Sequence, residues 1–342
     1  MPLLLRQQLD HLRGPGVNAA EGGIRLTAGS RSQSAAGISQ PLYRKGGAAE
    51  FGVHDCVCYV QFNHLYDIMI CRINLIYTIR RIIMIRMILT DLDHTLLKQD
   101  GSISEKTLQI LAACRAKGIR FAIVTARYWI GAERYIDLLN PDYEITTDGT
   151  LIHSHGQCIY SCALSVSDTN AIISSIAEAV PGAEITTACG KTVYWNSHHI
   201  SESEKLHKAV YCDYSSPLDV QANKIVAELP DESVAGEIAA KTNCKLQCYR
   251  GEKWYAFMPA ASGKTTAIKA LAETSGISLE DTVAFGDDLN DIEMLRLCGM
   301  GVAVANAIPE VREAAGEITL SNDEDGVAEW LAGHCLKETK ES

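Results

Sequence analysis

Three times in this 342-residue chain, a short apolar run stops on a cluster of carboxylates or hydroxyls. Met87–Thr90 (MILT) runs into Asp91-Leu92-Asp93-His94-Thr95, 121–124 (FAIV) into Thr125-Ala126-Arg127, and 282–285 (TVAF) into Gly286-Asp287-Asp288-Leu289-Asn290-Asp291. Apolar runs of this length without polar alternation suit strands buried on both faces, hence a parallel sheet covered by helices. The segments between them have helix grammar. Ser104 can cap a helix with apolar positions Leu108, Leu111, Ala112 and Ile119 and a stop at Gly118, and 265–274 reads as a helix ended by Gly276. A helix at 292–297, a strand at 301–304 and a helix at 309–315 follow. Right-handed crossovers place the strand carboxyl ends on one edge, where open α/β sheets hold their ligands.

Between Leu164 and Trp254 the pattern changes to helix, two short strands, helix, strand, helix and two strands, with 224–229 (KIVAEL) and 244–249 (CKLQCY) the clearest strands. The expected architecture is therefore α/β: a Rossmann-like parallel-sheet core at 87–164 and 254–336, with an α+β cap domain inserted at 165–253. Residues 1–86 differ in kind. They hold 10 basic and 5 acidic side chains, against 21 and 37 in the rest, so the net charge of −11 divides into +5 and −16. The Gly-, Ser- and Ala-rich stretch 14–49 cannot bury enough apolar surface to offset its ordering entropy. This leader reads as a poorly structured or spurious extension, with an Arg- and Ser-bearing transit peptide as the alternative.

The acidic balance argues against nucleic acid or anionic membrane as a partner over much of the surface. The apolar stretch 66–88 is interrupted by Arg72, Arg80, Arg81 and Arg86, too often for a membrane span. Twelve irregularly spaced cysteines read as reduced thiols, which points to a cytoplasmic protein.

Asp91, Asp93 and Asp287, brought to one sheet edge, make an oxygen-rich site suited to a hard cation such as Mg2+. Thr125 and Lys264 add a hydroxyl and an ammonium that can hold an anion against it. A metal, a nucleophilic carboxylate and a cationic clamp are the parts that phosphoryl transfer uses.

These motifs resemble those of the haloacid dehalogenase superfamily, in its Cof-type branch with a class IIB α/β cap. DLDHTLL (91–97), FAIVTAR (121–127), Lys264 ahead of TTAIKAL, and GDDLND (286–291) stand in the family's order and spacing, and GVAVANA (301–307) and SNDEDGVA (321–328) resemble further stretches of that branch. The resemblance implies a phosphatase acting on a small-molecule phosphate ester such as a sugar phosphate. It makes Asp91 the nucleophile that becomes an aspartyl-phosphate and Asp93 the general acid and base. Thr125, Ala126, Lys264 and Asn290 would hold the phosphate. Mg2+ would be held by the Asp91 carboxylate, the Asp93 main-chain carbonyl and the Asp287 carboxylate, with Asp288 or Asp291 behind them.

The chain departs from the family where His94 and Thr265 replace common glycines and where Asp148, in TTDGT, replaces a common Asn. A phosphomutase of the same superfamily shares both aspartates and is disfavoured by the cap type. A P-loop nucleotide-binding protein is suggested by Gly263-Lys264-Thr265, but the glycine that motif needs falls on Met258. Arg127 reads as a surface charge, with lining of the cap interface as the alternative. His198-His199 reads as polar loop, and Cys244 and Cys248 as small core residues on one strand face. Cys56 and Cys58 have no partner pair at zinc spacing.

Overall fold

In the computed structural model, which describes residues 85–203, 206–249, 251 and 253–336, the run Met87–Thr90 is strand β1, buried along its whole length. It is followed by α1 (Glu105–Ala116), β2 (Arg120–Val124), α2 (Trp129–Leu139), β3 (Tyr143–Thr146), β4 (Leu151–Ser154) and β5 (Gln157–Ser161). The inserted segment contains α3 (Val166–Ala179), β6 (Ile185–Cys189), β7 (Thr192–Trp195), β8 (Val210–Tyr211), β9 (Lys224–Glu228), α4 (Glu232–Thr242), β10 (Lys245–Cys248) and β11 (Trp254–Met258). The chain returns through α5 (Lys264–Ser275), β12 (Thr282–Gly286), α6 (Ile292–Leu297), β13 (Met300–Ala303), α7 (Pro309–Ala314), β14 (Glu317–Ile318) and α8 (Gly326–Leu331). The leader expectation, Cys56, Cys58 and most of the apolar stretch 66–88 lie outside the described residues.

The core is one eight-stranded sheet in the order β14-β13-β12-β1-β2-β3-β4-β5. The strands from β14 to β3 are parallel, and β4 and β5 extend the sheet as antiparallel strands. Leu89 stands opposite Ala284 of β12 and Ala122 of β2, so these three strands end at one level. Ile88, Leu89, Phe121, Ile123, Val283 and Phe285 are wholly buried, which is why these runs carry no polar alternation. In α1, Ser104 Oγ accepts the Thr107 N–H as expected. Its buried stripe is Thr107, Leu111 and Cys114, however, whereas Leu108 is half-buried and Ala112 exposed, so the helix is rotated from the expected face.

The second sheet runs β10-β11-β9-β6-β7-β8. One face carries Ile225, Ala227, Tyr255 and Phe257, packed on Ile172 and Ile176 of α3 and Ile238 of α4, with Cys244 and Cys248 half-buried at its margin. The other face meets the core: Ala188 and Val193 pack on Ile130, and the Tyr128 hydroxyl lies 2.7 Å from that of Thr186. Two expectations are corrected. The second helix expected in the insertion is absent among the described residues, where a single turn at Ile200–Glu202 and the edge strand β8 stand instead. Strand β11, expected in the core from residue 254, pairs with β10 and β9 in the cap sheet, because the return to the core comes only after Met258. No helix among the described residues is long and apolar enough to cross a membrane.

Candidate active site

Three adjacent parallel strands deliver the first groups. Asp91 follows β1, Thr125 follows β2 and Asp287 follows β12, at the point where successive connections leave β1 in opposite directions. Lys264, the first residue of α5, reaches into this edge with its side chain 4% exposed. Its ammonium donates to Asp91 Oδ1 and Asp291 Oδ1, each at 2.7 Å. Asp291 is fixed in turn, since its Oδ2 accepts the N–H groups of Asp287 (3.0 Å) and Asp288 (3.3 Å). That fold-over requires Gly286, where a Cβ would stand 2.4 Å from the Asp291 Cβ. The Thr95 hydroxyl donates to Asp287 Oδ1 at 2.8 Å.

Asp91, Asp287 and Asp291 can each offer one oxygen within 4.8 Å of the others. Burial pushes the Asp91 carboxyl well above its usual range; Lys264 opposes the shift and the two neighbouring carboxylates add to it. Burial and Asp291 raise Asp287 to about 6. Burial alone would lower the Lys264 ammonium, but Asp291 and Asp91 outweigh it and hold the charge. Three carboxylates thus face one ammonium in a water-poor site, an uncompensated negative charge on hard oxygen donors. Mg2+ fits that donor set, with Asp91 and Asp287 as the carboxylates to hold it, while Asp291 is committed to Lys264 and the backbone.

Asp93 lies two residues beyond Asp91 and is turned to Arg127. The guanidinium grips it with both prongs, Nε to Oδ2 at 2.7 Å and Nη2 to Oδ1 at 2.5 Å, and Nη1 donates to the Gly131 carbonyl. Arg127 is therefore not the surface charge expected, since its side chain is 11% exposed. Thr125 is buried, and its hydroxyl oxygen accepts the Arg127 N–H at 3.1 Å, leaving the hydroxyl proton to donate. Ala126 and Asn290 are half-buried beside it and in the turn Leu289–Asp291, and Asp288 caps that turn. His94 does adopt the conformation glycine would favour, at φ 60.

The family model described as haloacid dehalogenase-like hydrolase matches residues 88–331. The chain belongs to that family. This hydrolase is 29% identical over 268 residues to a putative phosphatase, YxeH, of Bacillus subtilis, across 72% of its own chain and 96% of the relative. It is 26% identical to the 5-amino-6-(5-phospho-D-ribitylamino)uracil phosphatase YitU of the same organism, with the same coverage. Its fold matches that of the HAD subclass IIB sugar phosphatase BT4131 at a TM-score of 0.63 and 22% identity, covering 72% of this chain and 98% of that one.

The hydrolase also has polar residues at this edge that the sequence did not single out for the site. Lys224, the first residue of β9, donates to the Ala126 carbonyl at 3.1 Å and pairs with Asp148 Oδ2 at 2.5 Å, and the Tyr249 hydroxyl donates to the same oxygen at 2.9 Å. A lysine opening an otherwise apolar strand was the one available signal. His198 and His199 are exposed in a loop and belong to no cluster of three possible metal ligands among the described residues.

Proposed function

We propose that this hydrolase is a Mg2+-dependent phosphatase that cleaves small phosphorylated metabolites, sugar phosphates foremost, through an aspartyl-phosphate on Asp91. The observation that carries this reading is the gathering of the buried Asp91 and Asp291 and the half-buried Asp287 around Lys264 at the carboxyl edge of adjacent parallel strands. The names of its relatives, a putative phosphatase and a 5-amino-6-(5-phospho-D-ribitylamino)uracil phosphatase, support the same class.

Asp91, its carboxylate plane fixed by Lys264, attacks phosphorus in line with the leaving alkoxide. The bond to the alcohol oxygen breaks, and that oxygen takes the proton from Asp93. Asp93, now a carboxylate held by Arg127, takes a proton from water, whose oxygen attacks the aspartyl-phosphate phosphorus and frees Asp91 and inorganic phosphate. The Thr125 hydroxyl and the Lys264 ammonium hold the phosphoryl oxygens, with the Ala126 backbone and Asn290 beside them. Bound Mg2+, held by the Asp91 and Asp287 carboxylates and the Asp93 carbonyl, would neutralise charge on those oxygens. The cap sheet lies over this edge and limits the leaving group to a small molecule.

The test is release of inorganic phosphate from a panel of sugar, nucleotide and cofactor phosphates, with and without chelator. Turnover of small esters that stops on chelation is expected. Phosphate release undiminished by chelation, or transfer of the phosphoryl group to a second alcohol without release, would overturn the reading.

A further inference from the structure

The loop that carries the proposed phosphate-binding groups is held partly by the cap. The peptide between Ala126 and Arg127 is fixed at both ends: its N–H donates to Thr125 Oγ1 at 3.1 Å, and its carbonyl accepts from Lys224 Nζ, which enters from cap strand β9. Asp148 binds the same loop from the core side, donating its backbone N–H to the Thr125 carbonyl at 3.2 Å while its carboxylate holds Lys224. Thr147 adds a backbone bond to the Arg127 carbonyl at 2.7 Å. Both charged side chains are nearly sealed from water, at 5% and 7% exposure.

The turn that presents Asp148 is strained. Thr147, Asp148 and Gly149 lie at φ 57, 55 and 82, three successive left-handed residues of which one is β-branched. Such conformations persist only where the surroundings over-determine them. Here a Cβ at Gly149 would come within 2.4 Å of the Gly263 carbonyl oxygen, so the turn is pressed against the residue that precedes Lys264. The turn thus touches the backbone beside both proposed phosphate ligands, Thr125 and Lys264, and offers its carboxylate to a cap lysine.

We propose that Lys224 and Asp148 are positioning residues: the cap-borne ammonium, fixed by Asp148, sets the Thr125–Ala126–Arg127 loop in its phosphate-binding form when the cap sheet is seated on the core. Seating of the cap and affinity for phosphate are thereby coupled through one ion pair. The proposal rests on the phosphatase reading and adds to it a route from cap to phosphate site.

The test uses the full chain, inorganic phosphate as a competitive probe and p-nitrophenyl phosphate as a substrate with little for the cap to recognise. Lys224→Met is expected to raise both the inhibition constant of phosphate and the KM about tenfold, the scale of effect seen when a supporting partner of a site is removed. Asp148→Asn, which keeps an acceptor for Lys224 and Tyr249, should raise them less. The double variant should be no weaker than Lys224→Met alone, because both remove the same link. Phosphate affinity unchanged in both single variants, with only the unfolding midpoint lowered, would overturn the proposal, as would strictly additive losses. If Lys224→Met does not fold, Asp148→Asn decides alone: weaker phosphate binding supports the link and unchanged binding refutes it. A wild-type chain that neither hydrolyses nor binds phosphate removes the phosphatase reading and the proposal together, whereas normal wild-type turnover with unaltered variants removes the proposal only.

Discussion

Two buried lysines in this hydrolase meet carboxylates in opposite ways. Lys264 lies between Asp91 and Asp291, with Asp287 close by, so three carboxylates share one ammonium. Lys224 has a single carboxylate, Asp148, which also accepts from the Tyr249 hydroxyl, and donates besides to the Ala126 backbone carbonyl. The second cluster is balanced and needs nothing further. The first is not: burial penalises its charges and drives Asp91 and Asp287 upward, a cost that a divalent cation would relieve. Charge balance therefore separates a cluster built to bind from one built to hold.

The contrast can be broken most severely at Asp91. Asp91→Asn should abolish turnover of an aryl phosphate, a loss of at least about 10⁴-fold, because the nucleophile itself is gone. Retained activity would place Asp91 outside the chemistry. At the balanced cluster the main expected loss is stability: Asp148→Ala strands a buried ammonium and should cost about 3–5 kcal/mol in denaturant unfolding. A group buried without any charge partner gives a third case. His153 is 3% exposed, its Nδ1 has no partner among the described residues, and burial, aided by Lys191, lowers it from 6.5 to about 4. The unfolded chain takes up that proton first as pH falls, so the folded state should lose up to about 3 kcal/mol between pH 6.5 and 4. His153→Phe should flatten that part of a stability-against-pH curve.

The comparison is sharpened by Asp287→Asn. In chelator this variant should be more stable than wild type by roughly 1–3 kcal/mol at pH 7, since it removes a charge that the metal-free fold disfavours, even as activity is lost. A destabilised variant would mean the carboxylate surplus carries no strain. The smallest effect is expected at His94, in the same loop as Asp91. His94→Gly relieves a left-handed residue at φ 60 and should stabilise by about 1 kcal/mol in thermal unfolding.

Much of the core was legible because its strands are buried on both faces and therefore write continuous apolar runs. Met87–Thr90 and Ile292–Leu297 fall where the pattern placed them, and Gly276 ends α5 in the left-handed conformation. The cap was harder to read. Its strands bury one face under α3 and α4 and the other against the core, so Lys224 and Gln247 interrupt the pattern at positions that a sequence assigns to solvent. Where a second cap helix was expected, a single turn at Ile200–Glu202 and the edge strand β8 stand instead, and β11 was given to the core because adjacency in sequence to Lys264 hid its pairing with β9. The structure brings Asp91, Lys264 and Asp287 together at one edge, with Thr125 at the end of the adjacent strand; the sequence drew attention to Asp91, Thr125 and Asp287 because each stands at a strand end. Arg127 was misjudged because nothing in FAIVTAR says that the guanidinium turns back to Asp93.

What the sequence determined by itself was the class of fold and the strand-end groups Asp91, Thr125 and Asp287, since burial periodicity and strand-end position are local properties of the chain. Which charged groups pair was decided only by tertiary structure. The Arg127–Asp93 grip joins residues 34 apart, and the Lys224–Asp148 pair joins residues 76 apart, one on the cap sheet and the other in the turn between β3 and β4. Such pairs form because desolvation makes a lone buried charge costly, and which charges are buried is known only once the cap has been placed on the core.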